Sequence, residues 1–142
     1  MEIRVARSEL DIAQCFPVMV QLRPQLDPAE FVSRVQHQQQ GGYYLVYLDV
    51  DEAVRAIAGF RILDTLAHGK ILYVDDLVTD VVAQGKGYGT ALMNWLLNYA
   101  RSQQCRSLQL DSSVQRALAH RFYFGRGFTI KAFRFAQSLD PD

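Results

Sequence analysis

The residues with the most chemical content stand together in Gln84-Gly85-Lys86-Gly87-Tyr88-Gly89-Thr90, between a stretch of strand composition and the start of an amphipathic helix. Glycine permits positive φ and lets a ligand approach the main chain. The unpaired N–H groups of a first helical turn point outward at the positive end of the helix dipole. Three alternate glycines in that place form an anion site suited to phosphate, whereas a lone glycine pair would read only as a tight turn. Spacing separates this loop from two others that bind phosphate. No Gly-x-x-x-x-Gly-Lys-Ser/Thr pattern is present, so the nucleoside-triphosphate loop fails. Gly85-x-Gly87 followed by Thr90 comes near the Gly-x-Gly-x-x-Gly/Ala dinucleotide fingerprint, with Asp111 about where a ribose-binding acid would stand. Against that reading, Thr79 to Gln84 intervene after the strand, the third glycine is absent and the strands ahead form a meander.

The elements that must position this loop follow from hydrophobic period and punctuation. Glu2 to Arg7 is an opening strand, and Ser8 caps a helix to about Leu22 that Pro17 splits or kinks. Asp27-Pro28 opens a second helical segment through Phe31 and Val35, ending before Gly41 and Gly42. Tyr43 to Val50, Val54 to Leu63 and Ile71 to Val78 are three strands of an antiparallel meander. From Tyr88 the period becomes helical, with Leu92, Trp95, Leu96 and Tyr99 on one face up to about Ser102. A strand from Ser107 to Asp111, a helix around Gln115 to Phe124 and a last strand from about Phe128 to Gln137 complete the chain. The order predicts an α/β fold of α+β type, a mixed sheet with helices on its faces. Its one strand–helix–strand crossover, Ile71 to Asp111, requires two parallel strands.

Composition bounds the rest. The 142 residues, 49% hydrophobic, suffice for one domain spanning 1–142. Fifteen basic residues balance fifteen acidic ones, so no summed positive field exists to hold nucleic acid. No apolar run has the length of a membrane span or a secretory signal, and a cytoplasmic protein with no membrane partner is expected. Cys15 and Cys105 lack close spacing, and His37, His68 and His120 are scattered, so neither a disulfide framework nor a metal site is expected.

Gln84-x-x-Gly87-x-Gly89 matches the Gln/Arg-x-x-Gly-x-Gly/Ala signature of the GNAT acyl-CoA-dependent N-acetyltransferases. Tyr73-Val-Asp-Asp-Leu-Val-Thr79 resembles their fourth strand, and Ala119-His-Arg-Phe-Tyr-Phe-Gly-Arg-Gly-Phe128 their last helix and following turn. The resemblance covers residues 70 to 130 by motif. It implies a GNAT-like fold with a splayed central cleft, and acetyl-CoA as co-substrate. The pantetheine arm would pair with main-chain groups of Leu77, Val78 and Thr79, the Val78 N–H being the expected donor to the thioester oxygen as it becomes negative. Gly85, Lys86, Gly87, Tyr88, Gly89 and Thr90 would hold the pyrophosphate, and Gln84 would close the loop through its side chain. Lys86 either adds a point charge or is a solvated surface lysine.

By the same resemblance Tyr123 donates a proton to the departing thiolate, a transfer suited to a phenol of pKa about 10 and a thiol of about 8.5. The alternative for Tyr123 is an aromatic core residue beside Phe122 and Phe124. Asp76, or else Asp75, accepts the proton of the attacking amine directly or through water, or either acid is solvated or binds a cationic substrate. Because strand neighbours face opposite ways, only one is expected to face the acceptor. His120, one turn before Tyr123, either orients substrate or phenol or is a capped surface histidine. Arg116, Ala117 and Leu118 stand where the family often has an asparagine, which leaves coenzyme contacts from that turn open. No partner strand completes a terminal hairpin, so the substrate-side wall is reduced or shared with a second copy in a homodimer. Arg23, Tyr43, Tyr44 and Arg61 are acceptor-side candidates on composition alone. With no acidic tract to dock a basic tail, the expected acceptor is a small-molecule amine before a protein or peptide one. An acyl-CoA-binding sensor without turnover is the rival class.

Overall fold

A computed structural model describes residues 1–141. Two compact units emerge, Met1–Leu110 and the chain from Asp111 onward. The first is a five-stranded sheet in sequence order: β1 (Glu2–Val5), β2 (Tyr43–Val50), β3 (Ala53–Thr65), β4 (Gly69–Thr79) and β5 (Ser107–Leu110). β1 to β4 pair antiparallel, while β5 lies parallel to β4 across the crossover, as the order of elements requires. Both faces are covered, which explains why β2 buries Tyr43 and Leu45 through Leu48 on both sides of its pleat.

One face packs under α1 (Glu9–Ala13), α2 (Phe16–Leu22) and α3 (Phe31–Gln40), whose Ile12, Val18, Met19, Phe31 and Val35 form a core with Tyr43, Leu45, Tyr47 and Ile57. Ser8 and Asp11 make a reciprocal capping box on α1. The expected split near Pro17 occurs at Gln14–Cys15, because proline fits the first turn of a new helix, where its missing N–H is not needed. α3 starts three residues later than Pro28. Asp27 instead holds a turn, accepting from the Ala29 N–H at 2.9 Å while its carbonyl accepts from Glu30. The other face carries α4 (Tyr88–Ser102), with Leu92, Met93, Leu96 and Ala100 buried. Trp95 and Tyr99 stack on each other and meet Phe60 and Tyr44.

The second unit contains α5 (Ala117–Gly125), closed by the Phe128 N–H bond to the Tyr123 carbonyl. The strand expected from Phe128 to Gln137 does not form: these residues enter no ladder, and Ile130, Phe133 and Phe135 are exposed. An alternating pattern gives a strand only where an edge accepts its hydrogen bonds.

Candidate active site

β4 is paired on both sides only as far as Val74. Leu110, the last residue of β5, stands opposite Val74, so Asp75 to Thr79 have β3 on one side and, among the described residues, no strand on the other. The register on β3 slips at the same place, because Gly59 pairs with Asp76 and Phe60 with Val74, leaving Asp75 as the extra residue of a β-bulge.

The bulge changes which groups face where. The Asp80 N–H bonds to the Arg55 carbonyl at 2.8 Å. Counting back through the alternation of an antiparallel ladder commits Val78 and Asp76 to β3 and turns the main-chain N–H and C=O of Leu77 and Thr79 to the open edge. The edge donor is therefore at Leu77, not at Val78 as expected. Side-chain parity shifts too. Asp75 keeps the face of Tyr73 and Arg61, while Asp76, opposite Gly59, lies on that same face, so both carboxylates point toward α1–α3 instead of only one.

Both acids are held. Arg61 clasps Asp75 with two parallel bonds of 2.9 and 2.8 Å, its guanidinium 5.4 Å from the Tyr73 ring centre. Asp76 accepts from Arg23 Nε at 3.0 Å on one oxygen and from Tyr43 Oη at 2.8 Å on the other. Arg23 also donates to the Asp75 carbonyl at 2.8 Å, which ties the end of α2 to the bulge. Tyr43 reaches Asp76 by lying across Gly59, where a β-carbon would stand 1.7 Å from the phenol oxygen. Burial, reinforced by Asp76, holds the Tyr43 phenol well above its usual pKa, so it is a neutral donor. Of the acceptor-side candidates, Arg23, Tyr43 and Arg61 thus surround the two acids. Tyr44 does not: it stacks on Phe60 on the α4 face.

A cavity of about 170 Å³ opens over Asp76 and Tyr43. Met19 and Arg23 of the α2 wall, Phe31, Arg34 and Gln38 of α3, and Leu26 between them line it.

One short turn separates β4 from the glycine loop. Asp80 caps a single 3₁₀ turn, Val81–Ala83, and Gln21 of α2 fixes it by donating to Asp80 at 3.1 Å and accepting from the Val81 N–H at 2.9 Å. The Gln21 bond first, then the Val82 N–H and Arg55, hold the Asp80 carboxyl below its usual pKa against the effect of burial. Gly85 and Gly87 have φ of 84° and 82°, and a β-carbon on either would meet nothing within 4 Å, so it is the left-handed backbone that calls for glycine. Gly87 is the N-cap of α4 with no side-chain cap, and its carbonyl already accepts from Ala91. Tyr88, Gly89 and Thr90 thus form the first turn, with N–H groups that have no intrahelical acceptor. Gln84 is exposed and makes no side-chain hydrogen bond among the described residues, while Gln21 and Asp80 fix the turn that precedes it. Lys86 is exposed beside the loop.

In the second unit Tyr123 is half-buried between Phe122 and Phe128. Burial raises its pKa, and a hydrogen bond and the charge of Arg116 pull in the opposite direction. His120 donates from Nε2 to the Ser113 carbonyl at 2.7 Å, which makes it a clasp on the loop before α5.

Sequence signals for Gln21, Arg55 and Asp80 were slight, because their partners are 25 to 60 residues away. Among the described residues no group of three or more His, Cys, Asp or Glu could hold a metal, and no helix is long and apolar enough to cross a membrane.

Comparison with known proteins agrees with this architecture. Residues 10–128 match the acetyltransferase (GNAT) family. The chain is 34% identical over 134 residues to the uncharacterized N-acetyltransferase YhdJ of Bacillus subtilis (strain 168), covering 93% of this chain and 94% of that one. It is 30% identical over 66 residues to an aminoalkylphosphonate N-acetyltransferase of Salmonella typhimurium, covering 46% and 43% of the two chains. The fold resembles that of the aminoglycoside N-acetyltransferase AAC(6')-Iy in complex with CoA, with a TM-score of 0.82 at 13% identity over 98% of this chain and 95% of that one. An edge opened halfway along β4, running into an uncapped helix start, is thus matched by kinship along most of the sequence, and the chain belongs to the GNAT family of acetyltransferases.

Proposed function

We propose that the protein transfers the acetyl group of acetyl-CoA to a primary amine of a small molecule. The observation that carries this reading is the continuity of Leu77 and Thr79, with main-chain groups on an unpaired edge, and the α4 N-terminus a few residues on. An arm rich in amides pairs with such an edge, and a pyrophosphate neutralises such a helix start. Gly85 to Thr90 hold the phosphates through N–H groups, with Lys86 adding charge, and Leu77 and Thr79 pair with the pantetheine.

The amine nitrogen attacks the thioester carbonyl carbon, the oxygen becomes negative against the Leu77 N–H, and the C–S bond then breaks. Tyr123 gives the thiolate its proton. Asp76, already bound by Arg23 and Tyr43, keeps one acceptor position on each oxygen for the ammonium or for a water that carries its proton away.

A screen of primary amines with acetyl-CoA, following free thiol, tests the reaction. Release with one amine class is expected, whereas tight coenzyme binding without release across the panel would make the protein an acyl-CoA sensor. Tyr123→Phe is expected to lower kcat by roughly 10²-fold or more with coenzyme affinity kept. Full turnover in that variant removes Tyr123 from the mechanism.

A further inference from the structure

The charges lining the cavity over Asp76 do not balance. Arg23 and Asp76 cancel as an ion pair, and Arg61 and Asp75 cancel beside them. Arg34 is left over, an exposed guanidinium on the cavity wall with no hydrogen bond or ion pair among the described residues. Arg23 also keeps Nη1 without a partner among the described residues, since its bonds leave from Nε and Nη2. Spacing along α3 explains the arrangement. Phe31, Arg34, Val35 and Gln38 recur at three and four residues, so this helix face is apolar where Phe31 and Val35 are buried and cationic where Arg34 leaves it.

An acceptor that brought only an ammonium ion would add positive charge to a cavity already positive by one. An acceptor with an oxyanion of its own would satisfy both ends. Resting on the assignment of this cavity to the acceptor, we propose that the substrate is a small zwitterionic amine, its ammonium against Asp76 and its carboxylate or phosphate on Arg34 and the free Nη1 of Arg23. Guanidinium suits this task because its planar fork matches two oxygens at once. About 170 Å³ lies below the roughly 300–1,000 Å³ of sites for drug-sized ligands, which limits the acceptor to a compact molecule.

The test uses matched primary amines with acetyl-CoA: propylamine and ethanolamine as neutral-tailed members, β-alanine as the carboxylate and phosphoethanolamine as the phosphate. The anionic members are expected to show kcat/KM at least tenfold above the neutral ones, with whichever is faster identifying the oxyanion. Arg34→Gln, a change on an exposed helix face, is expected to erase that advantage by raising KM for the anionic members with kcat held, while the neutral-tailed amines, relieved of the surplus positive charge, are used as well as before or better. Equal or better use of the neutral amines overturns the inference while leaving acetyl transfer intact, as does an Arg34→Gln loss common to all four. If no amine releases thiol, calorimetric binding decides. β-Alanine or phosphoethanolamine bound by the parent and released by Arg34→Gln upholds the oxyanion site although the transfer reaction has failed, and no binding overturns both.

Discussion

Replacing Gly59 by alanine should disconnect Tyr43 from Asp76. The added β-carbon would stand 1.7 Å from the phenol oxygen, 2.3 Å from Cζ and 2.7 Å from Cε1, so the whole ring edge has to move, not a flexible tip. Two costs combine. Overpacking a filled site costs about 1–3 kcal/mol. Losing a hydrogen bond to a charged acceptor costs about 1.5–3 kcal/mol. Because the ring can move partway while keeping some contact, the expected destabilisation is about 3 kcal/mol, read as a lowered urea midpoint at unchanged m-value. Elsewhere in a strand the same change would stabilise by roughly 0.5–1 kcal/mol. Tyr43→Ala provides the control: with the ring gone, Gly59→Ala should cost nothing or stabilise slightly, so the double-mutant cycle should show coupling of about 3 kcal/mol. Tyr43→Phe should not relieve the clash, since Cζ and Cε1 remain. Equal costs of Gly59→Ala in the parent and Tyr43→Ala backgrounds would refute the packing argument.

Other expectations concern the main chain and titration. An amide-to-ester replacement that removes the Leu77 N–H should lower kcat by roughly 10²–10³-fold with little effect on stability, while the same change at Val78 should cost about 1 kcal/mol of stability and spare kcat; the reverse pattern, by semisynthesis and kinetics, would place the bulge wrongly. The Cys15 thiol, buried at the start of α2, is pushed up to about 12. Its folded pKa therefore exceeds the unfolded one, so its contribution is whole below about pH 9 and lost as pH climbs from there toward 12, at about 1.4 kcal/mol per pH unit. Alkaline urea titrations should show this fall, and Cys15→Ala should make it shallower. Arg116→Ala should raise the Tyr123 pKa further, because Arg116 supplies the lowering influence; tyrosine-ring NMR titration reads it, and a downward shift would contradict the arrangement around α5.

Features set by short spacing were legible in the chain. The glycine loop, the meander, the α4 stripe and the parallel crossover all appear because each rests on residues at most a few positions apart or on the order of elements. What lay beyond reach depended on register. The family resemblance put the edge donor at Val78 and strict alternation along β4 separated Asp75 from Asp76, and one extra residue opposite the Gly59–Phe60 step runs against both expectations. Nothing in Val-Asp-Asp-Leu marks a bulge. The contact of Tyr43 with Asp76 spans 33 residues and needs a glycine on the strand between them, a dependence visible only once three strands are aligned. The pattern from Phe128 to Gln137 misled for the opposite reason: local preference was present, but among the described residues no strand pairs with it, and preference without pairing makes no strand.

The last turn of α2 is moored twice. Gln21 grips the turn that precedes the glycine loop, and two residues later Arg23 grips Asp76 and the bulge carbonyl. A rigid shift of that turn cannot loosen one mooring without pulling on the other. The two halves of the site are therefore geared together, and by linkage any preference of one ligand for a particular setting of α2 must return, with equal free energy, as a preference in the affinity of the other.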